Sequence, residues 1–453
     1  MKYLEFIDND DLPVATIQGL LTFEVNGKDV CLAKSIACYG PSKVRVPRHA
    51  FTNQQIKDMN LQLVLPRSFV PARMTCNFSL KSGFSVRENQ QDAYDAMVTR
   101  YSSVVGKAGP HEGGVLNLAC GKGKTFLGLC LSSTLKRKTI IVSPQKAHLE
   151  NWKIELEKFF NFGGTTGWIQ GKKREWDADI IFATVQTLAN MVDKEESIPD
   201  DIGLAIYDEC HGMSALHFAK AADIFGGHRL GLSATPNRTD KNEGIFLSHL
   251  GPVFYSDITQ DLIPTVKVLD TGIFVTQADE KKFIDKGKNL NLNLVRSWLV
   301  QDEDRNLLIV EEIQRCLKEN RTVYVLSHSV DHVKTLAKSF PGASVIHGGT
   351  KSEDRLPLLN TGNIVFATIQ IGKEAYNRKE LDTLFLVTPF AAHKHAAIAF
   401  EQSVGRIQRE CVGKKNPEVY LFIDSAISIC KGLVMSLVTH SKRKGYKVVY
   451  ERS

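Results

Sequence analysis

The sequence predicts an α/β protein with two parallel-sheet domains in tandem, preceded by a small β-rich or α+β accessory domain. The chain has 453 residues, enough for two to four domains. From about residue 87, short apolar runs alternate with longer helix-like stretches, and a second series of this kind begins near residue 320. Such alternation is typical of a parallel sheet that is covered by helices on both faces.

The composition is that of a globular protein, with 43% hydrophobic and 24% charged residues. No apolar run approaches the roughly 18 residues that would cross a bilayer, and the first residues lack the pattern of a signal peptide. Nine cysteines occur without a CxxC pair, which predicts reduced thiols. We therefore expect a cytoplasmic protein without membrane contact. The net charge of +7 mildly favours a polyanionic partner.

Residues 1–86 are expected to form a small accessory domain with a basic face, which would bind DNA if the neighbouring domains form a nucleic-acid motor. Between residues 28 and 81 only Asp29 and Asp58 oppose nine basic residues: Lys28, Lys34, Lys43, Arg45, Arg48, Lys57, Arg67, Arg73 and Lys81. Turn signals such as Asn26-Gly27 separate short strand-like runs at 20–25, 30–32, 44–46 and 61–65. The alternative is a domain that only packs and whose charges are solvated.

The first α/β domain is predicted to span residues 87–262. Its expected strands are 115–119, 139–142, 180–183, 204–207 and 230–233, and its expected helices are 126–135, 146–160 and 215–224. Apolar runs of this length, bounded by turn residues, are typical of strands that are buried on both faces.

The second α/β domain is predicted within residues 263–453. Its expected strands are 323–326, 344–346, 364–367, 384–387 and 419–423, and its expected helices are 304–317 and 330–340. Residues 256–300 are interpreted as the connection between the domains. The basic residues Lys442, Arg443, Lys444 and Lys447 near the end are interpreted as a disordered, solvated tail, with a further binding patch as the alternative.

A Gly-rich stretch from Ala119 to Thr125 lies between two apolar runs, so it is predicted to turn from a strand into a helix. Backbone N–H groups in such a turn converge on an anion, and the helix N-terminus favours negative charge. Lys124 would reach the β- and γ-phosphates of a nucleotide, and the Thr125 hydroxyl would bind Mg²⁺. Leu118 stands where the generic motif has Gly, so a plain turn with two surface lysines stays open as the alternative.

Two acids, Asp208 and Glu209, follow the apolar run 204–207 and would emerge where a parallel strand ends. Asp208 is expected to hold Mg²⁺, and Glu209 to orient or deprotonate a water molecule. The stretch from Ser233 to Pro236 ends the next predicted strand, and its hydroxyl groups could link the γ-phosphate to moving parts. Taken singly, each stretch could also be an ordinary solvated turn.

The second domain carries the stretch Gln402-Ser403-Val404-Gly405-Arg406-Ile407-Gln408-Arg409. Arg406 and Arg409 are three residues apart, so one face of a helix could present both guanidinium groups. Guanidinium groups suit phosphate oxygens and stabilise charge in phosphoryl transfer. The alternative is an exposed basic helix.

In this order, the motifs resemble those of superfamily 2 helicases and translocases of the DExH type. Arg87 and Gln90 match the adenine-reading element, Pro144 and Trp152 resemble motif Ia, and 184–188 resembles motif Ib. The resemblance covers about residues 84–425. The DECH box and the compact layout are most similar to phage recombination helicases of the UvsW type, including that of T5-type phages. Excision-repair and poxvirus transcript-release helicases are more distantly similar.

The resemblance implies two RecA-like domains with ATP and Mg²⁺ in the cleft between them, where Arg406 and Arg409 would reach a nucleotide bound by Lys124. It implies these nucleotide-binding residues: Arg87, Gln90, Gly121, Lys122, Gly123, Lys124 and Thr125. It adds Gln402 to the catalytic residues Lys124, Asp208, Glu209, Arg406 and Arg409, and assigns coupling to His211, Ser233 and Thr235. The implied DNA contacts are Pro144, Gln145, Thr187, Ser327, His328, His347 and Thr368, although His347 could equally be an ordinary strand-end histidine.

We therefore expect a monomeric, ATP-dependent DNA helicase or translocase that remodels branched or forked DNA, by branch migration, fork regression and unwinding, with the 3′-to-5′ polarity usual in this group. Duplex and single-stranded DNA are the expected partners. RNA or a stalled transcription complex is the alternative substrate, because phosphate contacts do not read the 2′-hydroxyl. A nucleic-acid-binding module with an inactive cleft is the third interpretation.

Overall fold

The computed structural model describes residues 3–7, 17–18, 20–25, 28–36, 43–59, 61, 71–102, 113–119, 121–210, 215–222, 224–234, 243–259, 262–285, 289–372, 378–390, 394–409, 411 and 413–451. The chain divides into two compact units, Met1–Thr259 and Gln260–Ser453. Both are mixed α/β units built on parallel sheets. The finer division at residues 86 and 262 stays a prediction. No helix in the described ranges is long and apolar enough to cross a membrane.

The N-terminal part of the first unit is β-rich. Its elements are β1 (Tyr3–Ile7), β2 (Thr22–Val25), β3 (Lys28–Cys31), β4 (Lys34–Ile36), β5 (Lys43–Pro47) and α1 (Asn53–Asp58). The antiparallel order β1-β5-β4 forms one sheet, and β2 pairs with β3. The turn signal Asn26-Gly27 and residues 62–65 lie outside the described residues.

Arg48 is not part of a basic face, contrary to the prediction. Its side chain is 1% exposed, and its guanidinium donates hydrogen bonds of 2.7 and 2.6 Å to the carbonyl oxygens of Gly227 and Gly226. Phe6 and Val44 pack in one cluster with Ile245. Arg48 therefore fastens this part to the rest of the unit, because a buried guanidinium needs hydrogen-bond acceptors.

The rest of the first unit is organised by an eight-stranded sheet. The elements are β6 (Phe78–Leu80), α2 (Glu88–Ser102), β7 (Gly113–Leu118), α3 (Lys124–Leu135), β8 (Thr139–Ser143), α4 (Lys146–Phe159), β9 (Phe160–Phe162), β10 (Thr166–Gln170), β11 (Lys173–Arg174), β12 (Ile180–Thr184), α5 (Val185–Asp193), β13 (Leu204–Tyr207), α6 (Ala215–Ala222), β14 (His228–Ser233), α7 (Glu243–Leu250) and β15 (Val253–Asp257). The sheet order is β11-β10-β12-β8-β13-β14-β7-β15. Its pairs are parallel except β10 with β11. All five predicted strands are present, with no end shifted by more than two residues.

The sheet of the first unit is buried on both faces. Along β8, Ile141 packs in the cluster with Trp152, whereas Ile140 and Val142 pack in the cluster on the other side. Successive residues of a strand point to opposite faces, so a run without polar residues can fill two cores at once. Met74 and Phe78, which precede residue 87, pack in the same cluster as Trp152.

The second unit is organised by a seven-stranded parallel sheet. Its elements are β16 (Thr265–Asp270), α8 (Gln277–Lys282), α9 (Leu292–Leu299), α10 (Glu303–Lys318), β17 (Val323–Ser327), α11 (Val330–Ala337), β18 (Ser344–Ile346), α12 (Ser352–Leu359), β19 (Ile364–Thr368), α13 (Ile369–Gly372), β20 (Thr383–Leu386), α14 (Lys394–Ile407), β21 (Glu418–Ile423), α15 (Ser428–Arg443) and β22 (Lys447–Glu451). The sheet order is β18-β19-β17-β20-β21-β16-β22. The five predicted strands again lie in one sheet.

Two predictions about the second unit are wrong. Residues 256–300 are not only a connection, because they contain β16, which pairs with β21 on one side and β22 on the other. The basic tail is not disordered in the described range, because it contains the end of α15 and β22. Tyr446 is buried in the core, and Val448 packs against that core. Apolar residues between the lysines therefore fix a segment whose charge pattern alone resembles a solvated tail.

Candidate active site

The site is built where parallel strands of the first unit end. β13, β14 and β7 are neighbours, with Tyr207 opposite Gly231 and Ser233 opposite Asn117. Parallel strands present their carboxyl ends at one edge of a sheet. The same edge therefore holds three features: Ser233, the Gly-rich stretch that follows β7, and the two acids that follow β13. β8 and β12 also end there, which brings Pro144 and Thr187 to this edge.

The Gly-rich stretch depends on two glycines with left-handed backbone. Gly121 has φ +89° and Gly123 has φ +80°, and Gly123 is the N-cap of α3. A Cβ atom at Gly123 would lie 2.3 Å from Nε2 of Gln90, which is too close for any contact. Residues other than Gly rarely adopt this backbone. The stretch is therefore a tight turn that leads directly into the helix that begins with Lys124, as predicted.

Gln90 supports this turn from α2. Its side chain is buried; Nε2 donates a 2.9 Å hydrogen bond to the carbonyl oxygen of Lys122. Its Oε1 accepts a 3.3 Å hydrogen bond from the main-chain N–H of Arg87. The structure thus brings the predicted adenine-reading element and the Gly-rich stretch into direct contact. The side chain of Arg87 is exposed.

Lys122 faces the edge strand β15. Its ammonium lies 3.3 Å from Oδ2 of Asp257 and 3.4 Å from the hydroxyl of Thr259. Burial raises the pKa of Asp257, but hydrogen bonds from Thr259 and the charge of Lys122 outweigh it, so the pKa is lowered. The side chain of Lys122, predicted to contact nucleotide, is thus engaged in anchoring the turn.

Lys124 and Thr125 occupy the first turn of α3. The Lys124 ammonium donates a 3.0 Å hydrogen bond to the carbonyl oxygen of Leu118, the last residue of β7. A lysine held there, at a helix N-terminus that itself favours anions, is suited to phosphate. The pKa of Asp208 is raised by burial, and the charge of Lys124 is one of the influences that oppose this rise.

Asp208 is held in a buried position after β13. It is 7% exposed, its main-chain N–H donates to the carbonyl oxygen of Val142 at 2.8 Å, and its Oδ2 accepts a 2.8 Å hydrogen bond from the indole N–H of Trp152. Burial and the charge of Glu209 raise the pKa of Asp208, and His148, Trp152 and Lys124 act against this. The carboxylate is therefore tightly oriented.

Glu209 has an unusual backbone for its position. Its φ is +50°, and the other non-glycine residues with positive φ in the described chain, Lys136, Glu195 and Asn320, lie just after helices. Left-handed backbone at helix ends is common, whereas at a strand end it is a strain that marks functional sites. The chain therefore takes a left-handed turn at Glu209, two residues after the end of β13.

The donors at this edge fit magnesium with a nucleotide. The described residues contain no group of three or more His, Cys, Asp and Glu side chains that could hold a metal ion alone. Magnesium is usually held by one or two carboxylates together with water and substrate phosphates. Asp208 and Thr125 would be its protein ligands. Ser233 is buried at the end of β14, and His211 and Thr235 lie outside the described residues.

The predicted nucleic-acid contacts of the first unit differ in exposure. Gln145 is exposed just before α4. Thr187 is buried: its hydroxyl lies 2.7 Å from that of Thr184 and accepts a 3.3 Å hydrogen bond from the N–H of Gly171. A phosphate contact at Thr187 would therefore come from the main chain.

The predicted nucleic-acid contacts of the second unit also include both exposed and buried side chains. His328 is exposed after β17, with Nδ1 2.8 Å from the hydroxyl of Thr388. Ser327 and Thr368 are buried, and Ser327 binds Nδ1 of His332 at 3.0 Å. Nδ1 of His347 accepts a 3.1 Å hydrogen bond from the N–H of Gly349. These assignments to nucleic acid stay predictions.

The two arginines do not share a helix face, contrary to the prediction. α14 carries Gln402 and Arg406 but ends at Ile407, so Arg409 lies beyond it. Gln408 is buried and donates a 2.9 Å hydrogen bond to the carbonyl oxygen of Leu262. This contact takes the chain out of the helix before Arg409.

Lys414 then holds the main chain at Arg409. Its ammonium donates hydrogen bonds of 2.7 and 2.9 Å to the carbonyl oxygens of Arg409 and Lys379, and burial lowers its pKa to about 8. Sequence reasoning missed Lys414, as it missed Asp257 and the contact of Trp152 with Asp208. No local pattern marks these residues, because each acts on a partner brought near by the fold.

Comparisons with known proteins agree with these motifs. Residues 83–238 match the family described as type III restriction enzyme, res subunit. The XPB helicase/translocase subunit of general transcription and DNA repair factor IIH from Encephalitozoon cuniculi is 24% identical over 340 residues, 71% of this chain and 50% of that protein. The protein named probable helicase D10 of Escherichia phage T5 is 24% identical over 316 residues, 67% of this chain and 66% of that protein. The chain thus spans only half to two thirds of these relatives.

Among solved structures, Saccharomyces cerevisiae Dbp5 bound to RNA and ADP BeF3 has a similar fold. The TM-score is 0.54 at 11% identity, and the match covers 80% of this chain and 89% of Dbp5. Similarity at this identity concerns the fold alone. It agrees with the tandem arrangement of RecA-like sheets expected from the sequence.

Proposed function

Because the chain belongs to superfamily 2 of the helicases, we propose that it is a nucleic-acid-stimulated ATPase that couples ATP hydrolysis to translocation along DNA. The observation that carries this proposal is the edge of the first sheet. There Gln90 supports the Gly-rich turn, Lys124 and Thr125 begin the helix, and Asp208 and Glu209 end a neighbouring strand.

The proposed mechanism uses the groups at this edge. Bound ATP would supply the phosphoryl group, whose bond to the departing ADP breaks as water adds, and bound Mg²⁺ would offset part of the negative charge. Lys124 and the N–H groups of the turn bind phosphate oxygens. Asp208 and Thr125 orient the metal. Glu209 accepts a hydrogen bond from the attacking water and takes its proton.

The second unit is proposed to complete catalysis. Arg406, Arg409 and Gln402 would stabilise the charge that spreads over the transferred phosphoryl group. This part rests on the motif Gln402–Arg409 and on the family, in which the last motif of the second domain has that task.

The proposed substrate is branched or forked DNA, which the protein would remodel by branch migration, fork regression and unwinding. The similarity of the motif set to phage recombination helicases and the basic N-terminal sequence support this. Exposed groups such as Gln145 and His328 suit contacts with phosphates, which position a nucleic acid without reading its sequence. A motor that steps along any sequence needs that property. We propose 3′-to-5′ movement by a monomer in the cytoplasm.

The alternative substrate is RNA. Dbp5, which shares the fold, was solved with RNA bound, and the contacts proposed here do not distinguish the two nucleic acids. The ATPase assay described next therefore compares DNA with RNA directly.

ATP hydrolysis is measured without nucleic acid and with forked DNA, a four-way junction, plain duplex, or structured RNA of equal length. We expect stimulation that is strongest with branched DNA and weakens with salt. Lys124→Ala should abolish turnover, whereas Lys153→Ala, which removes a half-exposed lysine that pairs with Glu157 on α4, should leave it near wild type. Stimulation by RNA alone would select the alternative, and no turnover in the wild type would favour an inactive binding module.

Gel analysis then tests the remodelling itself. The wild type should convert forked and four-way DNA to products only with ATP, and it should leave plain duplex largely unchanged. If all three DNA substrates were converted at equal rates, the proposed preference for branched DNA would be wrong, but the proposal of an ATP-driven motor would stand.

A further inference from the structure

Trp152 connects three parts of the first unit. It lies on α4, two turns after the exposed Gln145, and its side chain is fully buried. Its indole N–H donates a 2.8 Å hydrogen bond to Oδ2 of Asp208. Its ring packs on α3, the helix that begins with Lys124 and Thr125.

Gly128 makes room for this indole. A Cβ atom at Gly128 would lie 2.6 Å from Cη2 and 3.2 Å from Cζ3 of Trp152. A glycine inside a helix costs about 1 kcal/mol relative to alanine. In α3 this unfavourable residue, Gly128, lies one turn after Lys124, where the ring of Trp152 packs against the helix. The ring therefore sets the distance between α3 and α4.

The hydrogen bond to Asp208 fixes the direction of the carboxylate. Trp donates one hydrogen bond and accepts none, so with its ring held by Gly128 the N–H can satisfy only one oxygen of Asp208. Oδ2 thereby accepts one hydrogen bond, and the remaining lone pairs of the carboxylate can serve a metal or its water. The same side chain thus locates Asp208 with respect to the first turn of α3.

We propose that Trp152 is the positioning residue that sets Asp208 for Mg²⁺ and couples it to the helix of Lys124 and Thr125. The inference rests on the proposed function of this edge as a nucleotide site. It extends that function by naming a residue that does not touch the nucleotide but determines how tightly Mg²⁺-nucleotide is held. Donors of this kind around metal ligands change metal affinity or activity by about 10- to 100-fold when they are removed.

Trp152→Phe is the test variant, because it keeps an aromatic side chain on α4 and removes the N–H, together with the outer ring atoms that lie beside Gly128. Trp298→Phe is the matched control. The indole of Trp298 also donates to a carboxylate, at 3.2 Å from Oδ1 of Asp279, but in the second unit. Both variants therefore lose one tryptophan–aspartate hydrogen bond.

Equilibrium binding of a fluorescent, non-hydrolysable ATP analogue is measured with Mg²⁺ and with EDTA. For Trp152→Phe we expect binding about tenfold weaker than wild type with Mg²⁺ and within about twofold in EDTA. The concentration of Mg²⁺ for half-maximal ATP hydrolysis should rise, with a lower kcat. Trp298→Phe should match the wild type in all three measurements. Equal Mg²⁺ dependence in Trp152→Phe and wild type would overturn the proposal.

A second measurement needs no variant that could fail to fold. The indole N–H signals of the wild type are followed by NMR while Mg²⁺·ADP is added. The signal of Trp152 should shift and that of Trp298 should not, and an unmoved Trp152 signal would count against the inference. If the wild type binds no nucleotide at all, both the proposed function and the inference fail. If it binds but Trp152→Phe behaves like wild type, only the inference fails.

Discussion

The side-chain amide of Gln90 and the carbonyl oxygen of Lys122 form a buried 2.9 Å hydrogen bond, although the two residues are 32 positions apart. This contact joins α2 to the Gly-rich turn. It makes the conformation of the turn depend on a residue whose motif predicts only a role in reading adenine. We therefore expect Gln90 to act on the phosphate side of the proposed site as well as on the base.

Gln90→Ala is expected to weaken nucleotide binding roughly tenfold, because a buried carbonyl loses its donor at a cost of about 1–3 kcal/mol. The dissociation constant of ATP and the KM for ATP are measured. Gln91→Ala is the control, since Gln91 is exposed on the same helix and binds Asp95. Equal affinity in both variants would show that the turn does not need Gln90.

Gly123→Ala is expected to abolish nucleotide binding while the protein stays folded. The variant combines left-handed backbone with a Cβ atom 2.3 Å from Nε2 of Gln90, so either the turn moves or Gln90 gives up its hydrogen bond to the turn. Gly83→Ala is the matched control, because Gly83 has φ +86° with nothing within 4 Å of the added atom. The control should lose about 1 kcal/mol of stability and keep its affinity for ATP. Both are measured by thermal unfolding and by nucleotide binding.

Glu209→Gln is expected to reduce ATP hydrolysis at least 100-fold, the typical contribution of a general base. Nucleotide binding should persist, so that an ATP-bound complex accumulates on DNA. Glu195→Gln is the control, with the same substitution at φ +54° just after α5. Rapid-quench measurement of bound ATP distinguishes the two. Normal turnover in Glu209→Gln would remove its proposed role.

His332 is expected to make the second unit less stable in acid. It is buried, with Nε2 2.9 Å from Oδ1 of Asn306 and Nδ1 3.0 Å from the hydroxyl of Ser327. Burial, aided by the charge of Arg305, lowers its pKa to about 3, against about 6.5 in the unfolded chain. The unfolded chain binds the extra proton, so this stabilisation is complete above about pH 6.5 and is lost as the pH falls towards 3.

The loss attributable to His332 at pH 5, relative to pH 7, is about 2 kcal/mol. Urea unfolding of the wild type and His332→Gln at both pH values measures it. The variant, which can still hydrogen-bond to its neighbours, should show a pH dependence smaller by that amount. An identical pH dependence in both proteins would mean that another group titrates.

The fold class, the order of the strands that carry the motifs, and the edge where those motifs meet all follow from the amino-acid sequence. Apolar runs without polar residues form strands buried on both faces, and parallel strands present their carboxyl ends together. For that reason the residue pattern is enough to assign the turn before Lys124 and the acids at 208–209 to one site. The positive φ of Gly123 also follows from the pattern, since a turn of this kind needs glycine.

The partners that hold these groups in place are set by tertiary packing. Trp152 binds Asp208 across 56 residues, and Lys122 pairs with Asp257. Packing also ends α14 before Arg409, through a contact of Gln408 with Leu262, and it places β16 and β22 side by side in segments whose charges suggest a connection and a tail. Periodicity reports burial along one element, whereas these contacts depend on how separate elements pack. Packing is a property of the whole chain, and no local pattern encodes it.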